Sequence, residues 1–105
     1  MRCVYVVVIE VPAEAEQAWS DWQTRVHVPA VLAQPGFVGA RKLKDVERTS
    51  DGRARYLMEY LLESRAAFES YRQSDAAALL RREHEEHFGK VVRISRQVLE
   101  EEQSW

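Results

Sequence analysis

Six consecutive residues, Val4-Tyr5-Val6-Val7-Val8-Ile9, give any strand they form an apolar side chain on both faces. Side chains alternate across a strand, so Val4, Val6 and Val8 point one way while Tyr5, Val7 and Ile9 point the other. Both sets must leave water, which places the strand inside a sheet covered on its two sides. One chain of this length covers only one side well. The sequence therefore predicts that a second molecule hides the other.

Composition sets the frame. With 46% hydrophobic and 30% charged residues in 105, the chain reads as one globular domain over residues 1–105, closed by a short polar tail from Glu100 to Trp105. A single cysteine, Cys3, excludes an intrachain disulfide, and no Cys/His cluster has zinc-finger spacing. The expectation is a cytoplasmic protein without metal or cofactor. Arg2 precedes an apolar stretch that ends at Glu10-Val11-Pro12 with no small-residue cleavage pattern, so this stretch reads as a strand rather than a signal peptide. Nothing approaches the roughly 20 apolar residues that span a bilayer. Fifteen Lys and Arg against 17 Asp and Glu give a formal charge of −2, which offers no general attraction to nucleic acid or anionic membrane.

After the first strand, Pro12-Ala13-Glu14 opens a helix whose apolar face carries Ala15, Trp19, Trp22 and Val26, with Glu14, Glu16, Asp21 and Gln23 elsewhere. Pro29 disfavours helical geometry at Val28, so a break is expected there with His27 beside it. A charged second strand follows at Phe37–Val46, then an Asp51-Gly52 turn and a third strand at Arg53–Leu62, in which Tyr56, Met58, Tyr60 and Leu62 share a face. Ser64 is placed to cap a helix carrying Phe68 and Tyr71. The apolar phase then moves to Leu80, His84 and Phe88, which implies a break near Gln73-Ser74-Asp75, with Gly89 as the stop. A last strand runs from Val91 to Leu99. The order β-α-β-β-α-β is the α+β, ferredoxin-like split pattern: a four-stranded antiparallel sheet with helices on one face. Right-handed crossovers favour strand one in the centre with its parallel neighbour.

The segments Trp19-Ser20-Asp21-Trp22, His27-Val28-Pro29-Ala30-Val31-Leu32 and Pro35-Gly36-Phe37, on a chain of this order, resemble a bacterial domain-of-unknown-function family within the dimeric α/β-barrel superfamily. Leu80-Arg81-Arg82-Glu83-His84 and His87-Phe88-Gly89 extend that resemblance over nearly the whole chain. The superfamily includes antibiotic-biosynthesis-type monooxygenases, small dehydratases and isomerases, and haem-degrading enzymes. The resemblance implies a homodimer whose helix-free sheet faces pack into a barrel, with a ligand site between sheet and helices in each subunit. It carries no settled activity and no complete active-site signature.

The histidines are the candidate chemistry. His84 and His87 lie three apart on a helix and would need a third donor to hold a metal; a partly buried helix face, each ring donating to a carbonyl or carboxylate, is the simpler reading. His27 is the stronger candidate, as a proton acceptor for a bound phenol, enol or acid. Trp19 and Trp22 offer flat apolar surface beside it, and Arg41 offers an anchor for a ligand carboxylate. These residues predict a small-molecule pocket between helix one and the sheet, separate from the dimer interface. A cofactor-independent monooxygenase or a small dehydratase or isomerase is the enzymatic alternative, and a structural or regulatory dimer the other. An RNA-recognition module has the same element order and aromatics in the same strands, here Tyr5, Tyr56 and Tyr60. Arg53-Ala54-Arg55-Tyr56 lacks the glycine of its third-strand signature, and the net charge is negative, so nucleic acid is not expected.

Overall fold

The computed structural model describes residues 1–105, in which strands β1 (Cys3–Val11), β2 (Phe37–Lys44), β3 (Ala54–Leu62) and β4 (Arg93–Glu100) form one sheet of order β2-β3-β1-β4. The apolar strand is thus internal, flanked by β3 and β4. Both flanking pairings are antiparallel, and so is β2 against β3. The strand parallel to β1 is therefore β2, which lies at the edge rather than beside it. The crossover through helix one leaves a gap of one strand, and the β2–β3 hairpin folds back to fill it.

Register assigns each side chain to a face, because residues directly opposite one another point the same way. Tyr5 faces Tyr60, Val7 faces Met58 and Ile9 faces Tyr56. All of them lie under the helices, in the core with Trp19, Phe68 and Leu62. Tyr56, Met58 and Tyr60 accordingly belong to the covered face and contribute nothing to the helix-free one. That open face is built from Val4, Val6 and Val8, opposite Leu61, Glu59 and Leu57 on one side and Leu99, Gln97 and Ser95 on the other. The same face carries charge pairs, Arg41 with Glu59 at 2.6 Å beside Val6, and Glu10 between Arg55 and Arg93.

The first helical stretch does not break at Val28. A 3₁₀ turn (Ala13–Ala15) leads into α1 (Glu16–Trp22), a π-helical turn (Gln23–His27) and α2 (Val28–Leu32). Backbone angles stay right-handed throughout, and the Val28 N–H reaches back five residues to the Gln23 carbonyl. Proline in an α-helix lacks an N–H and clashes with the carbonyl four residues earlier. Widening the preceding turn lets the helix continue through Pro29.

Helices α3 (Arg65–Arg72) and α4 (Asp75–Phe88) are separate, as the phase change implies. Ser64 and Ser74 cap them by accepting from the N–H groups of Ala67 and Ala77. Gly36 connects α2 to β2 at φ +90°, and a Cβ there would lie 2.7 Å from Ala67 Cβ, so both the backbone and the contact with α3 require glycine. No helix is long and apolar enough to cross a membrane.

Candidate functional site

The wide turn changes which residues of helix one face inward. A stripe of 3.6 periodicity runs through Ala15, Trp19, Trp22 and Val26, but the buried positions are Trp19, Gln23 and Val31, with half-buried His27 between the last two. These four are spaced by four, the phase a widened turn imposes. Val26 is turned out to solvent, 47% exposed. Gln23 is turned in and buried, against the expectation that it lies on the polar face.

Burial leaves a polar group in an unusual position. Both amide atoms of Gln23 and Nδ1 of His27 are buried with no hydrogen-bond partner in the protein. An unsatisfied buried group of this kind costs about 1–3 kcal/mol, so three such atoms together oppose folding unless something else meets them.

His84 completes the polar wall from α4. Its Nε2 accepts a hydrogen bond from the buried Trp19 Nε1–H at 3.2 Å. Indole N–H only donates, so this nitrogen is unprotonated and the neutral ring carries its proton on Nδ1. The His27 and His84 rings lie 5.6 Å apart. Desolvation lowers the His27 pKa to about 4, assisted by the charge of Arg96. His84 is likewise lowered to about 4, first by burial and then by His27, Arg96 and His87. Protonating His84 at Nε2 would also break its bond to Trp19. Both rings are neutral at pH 7.

Together Gln23, His27 and His84 line a chamber between helix one and α4, floored by Val7, Ile9, Met58 and Tyr60. The room it leaves for the centres of water-sized molecules is ≈ 30 Å³, enough for about two waters. The chamber opens between Arg81 and Arg96 into an outer cleft of ≈ 380 Å³ that shares Tyr5 and Tyr71 with it and adds Phe68, Arg72 and Val98.

His27 is among the residues that line this chamber. Trp22 does not line it; the indole stacks on His27 at 5.1 Å and on His87 at 4.9 Å, closing the chamber from behind. Trp19 is core, packed 4.8 Å from Tyr56. Arg41 is not brought to this place at all. Its register partner is Glu59, so it occupies the opposite face of the sheet, exposed and paired there. The two α4 histidines are held apart in role: His87 Nδ1 donates to the Glu83 carbonyl at 2.8 Å, while His84 accepts from Trp19 rather than donating. No group of three or more His, Cys, Asp or Glu side chains is arranged to hold a metal ion. The residues that sequence reasoning missed are Gln23, Arg81 and Arg96. The four-residue spacing of Trp19, Gln23, His27 and Val31 was the available signal for the first; alternation with Ile94 and Val98 was the signal for Arg96.

Residues 2–102 match the model of a family described as "Domain of unknown function (DUF4286)". No curated protein sequence matches significantly. Among solved structures, a Bacillus cereus protein with a provisional antibiotic biosynthesis monooxygenase name superimposes with a TM-score of 0.75 at 12% identity, covering 100% of this chain and 95% of its own. An ethyl tert-butyl ether d (ethd) family protein from Bacillus halodurans gives 0.71 at 15% identity, covering 93% of this chain and 97% of its own. HapK from Hahella chejuensis gives 0.71 at 15% identity, with 100% and 96% covered. At such identities these likenesses show a shared fold.

Proposed function

The chain belongs to the DUF4286 family, and from that premise we propose that it is a dimeric α/β-barrel protein that binds a small organic molecule, seating a polar end of it against Gln23, His27 and His84. The unpartnered Gln23 amide and His27 Nδ1, on two residues that line the chamber, carry this reading. A ligand that meets them recovers a desolvation cost the fold has already incurred. Neutral His27 has the lone pair needed to accept a proton, and proton removal opens the cofactor-independent oxygenation, dehydration and isomerisation of activated substrates. A base of pKa about 4 is weak, so such chemistry would require an already acidic phenol or enol.

A metabolite-library thermal-shift screen tests the reading. A ligand at a hundred times its dissociation constant adds about 2.7 kcal/mol of stability, which for a domain of this size raises Tm by about 10 °C or more. His27→Ala should remove that shift while leaving the association state unchanged. A complete absence of hits would favour a structural or regulatory dimer instead.

The dimer is proposed to form through the helix-free sheet face. Val6 and Val8 are only 4% and 7% exposed there within one subunit, while Leu43 and Leu99 at the margins are 38% and 48% exposed. Apolar side chains beside internally neutralised charge pairs suit a second copy of the same surface. Val6→Asp would bury an unpaired carboxylate at the centre of that face, and is expected to cost several kcal/mol and to abolish association. Sedimentation of the native chain as a stable monomer at micromolar concentration would overturn the dimer, and a soluble, dimeric Val6→Asp would show that this face is wet.

A further inference from the structure

The mouth of the chamber adds a second, independent constraint on what enters. Arg81 from α4 and Arg96 from β4 line both the chamber and the outer cleft. Neither pairs with a carboxylate. Arg96 Nε instead donates to the Tyr5 hydroxyl at 3.1 Å, an uncharged partner. Arg72, a little further out, is neutralised by Glu69 at 2.7 Å. Two unneutralised guanidinium groups beside an apolar cleft, on a chain of net charge −2, are not explained by overall charge. Guanidinium pairs of this kind match carboxylates and similar planar anions.

The inner end demands a different chemistry. Gln23 presents a donor and an acceptor, and His84 presents its Nδ1–H. An ionised carboxylate accepts only and would leave the Gln23 Oε1 unmet. A phenolic or enolic hydroxyl donates as well as accepts, and it is no larger than a water, which the chamber has room to hold. Between the two ends, Tyr5, Phe68 and Tyr71 offer aromatic surface, with the Tyr5 and Phe68 rings 5.0 Å apart.

We propose that the site takes an aromatic or enolic hydroxy acid in one orientation, hydroxyl inward against Gln23 and His84, carboxylate outward against Arg81 and Arg96. This rests on the proposed ligand site and specifies its occupant. The ring lies along the cleft between them, and the anion remains partly hydrated at the opening.

The test is calorimetric titration of the native protein with hydroxyphenyl acids carrying a carboxylate one, two or three carbons from the ring, each beside its methyl ester and its analogue lacking the hydroxyl. The expected result is that the best acid binds at least tenfold more tightly than its ester. That difference should collapse in high salt and in the Arg81→Gln, Arg96→Gln double variant, which changes only exposed side chains and weakens acid binding far more than ester binding. Loss of the hydroxyl, or Gln23→Leu in a variant verified as folded by circular dichroism, should weaken acid and ester alike. Equal binding of acids and esters, or acids indifferent to both arginine substitutions, overturns the proposed orientation and leaves the ligand site standing. Absence of binding by every acid and every ester overturns the orientation and the site together.

Discussion

Lowering the pH from 6.5 to 4 is expected to destabilise the protein by several kcal/mol, beginning above the range in which the carboxylates titrate. His27 and His84 have folded-state pKa values of about 4, against 6.5 for the free imidazole. Between these limits the unfolded chain takes up protons that the folded chain refuses, so acid favours unfolding and stability rises with pH. The contribution is complete above about pH 6.5 and gone below about 4. In the limit each ring is worth about 3 kcal/mol, a depression of about 2.5 pH units at 1.36 kcal/mol per unit, against a total stability of order 5–15 kcal/mol. Because the rings are 5.6 Å apart, a proton on one opposes a proton on the other, and the loss is spread across the window. Urea denaturation at intervals from pH 7.5 to 4 measures it directly. His27→Gln should roughly halve the slope, and a flat profile would show that both rings reach water. Glu16, held at about pKa 2 by hydrogen bonds from Lys44, Tyr56 and Arg48, adds a loss of the same sign only at lower pH.

Trp19→Ala should be the most damaging single truncation in the helical layer. The indole is fully buried, packs tilted against Tyr56 at 4.8 Å, and is the hydrogen-bond donor to His84. Removing a buried tryptophan costs about 3–5 kcal/mol through lost burial and the cavity left behind, and here His84 Nε2 also loses its partner. Trp19→Phe separates the two effects. It keeps most of the packing and removes the N–H, so the expected cost falls to about 1–3 kcal/mol. The freed lone pair should also raise the His84 pKa, which NMR titration of the ring would read. An unchanged His84 titration in Trp19→Phe would show that the indole bond does not restrain protonation.

What could be read from the chain alone followed from short-range rules. The alternation of Val4–Ile9, the Asp51-Gly52 turn, the cap at Ser64 and the phase change before Leu80 are each set within a few residues, by side-chain direction or by local hydrogen bonds. They were sufficient for the ferredoxin-like sheet and for separating α3 from α4. His27 was recognisable because a histidine close to a proline within a helix has an interrupted backbone for a neighbour.

The rest depended on register and on a change of helical pitch, which no local pattern displays. Which face of β3 met the helices was fixed only when Tyr60 came opposite Tyr5, and the same pairing sent Arg41 to the far side with Glu59. A one-residue slip would have reversed both, since side chains alternate with a period of two. Within helix one, the sequence supplied Pro29 but left two ways to accommodate it, a break or a widened turn. Packing chose the widened turn, rotating Gln23 and His27 inward and Trp22 behind them. The sequence determined the elements, their order and the apolar faces that had to be buried, because those depend on neighbours along the chain. The chamber and its arginine mouth arose only from the tertiary structure, because their walls come from three strands, helix one, α3 and α4, whose relative phase is decided where they meet.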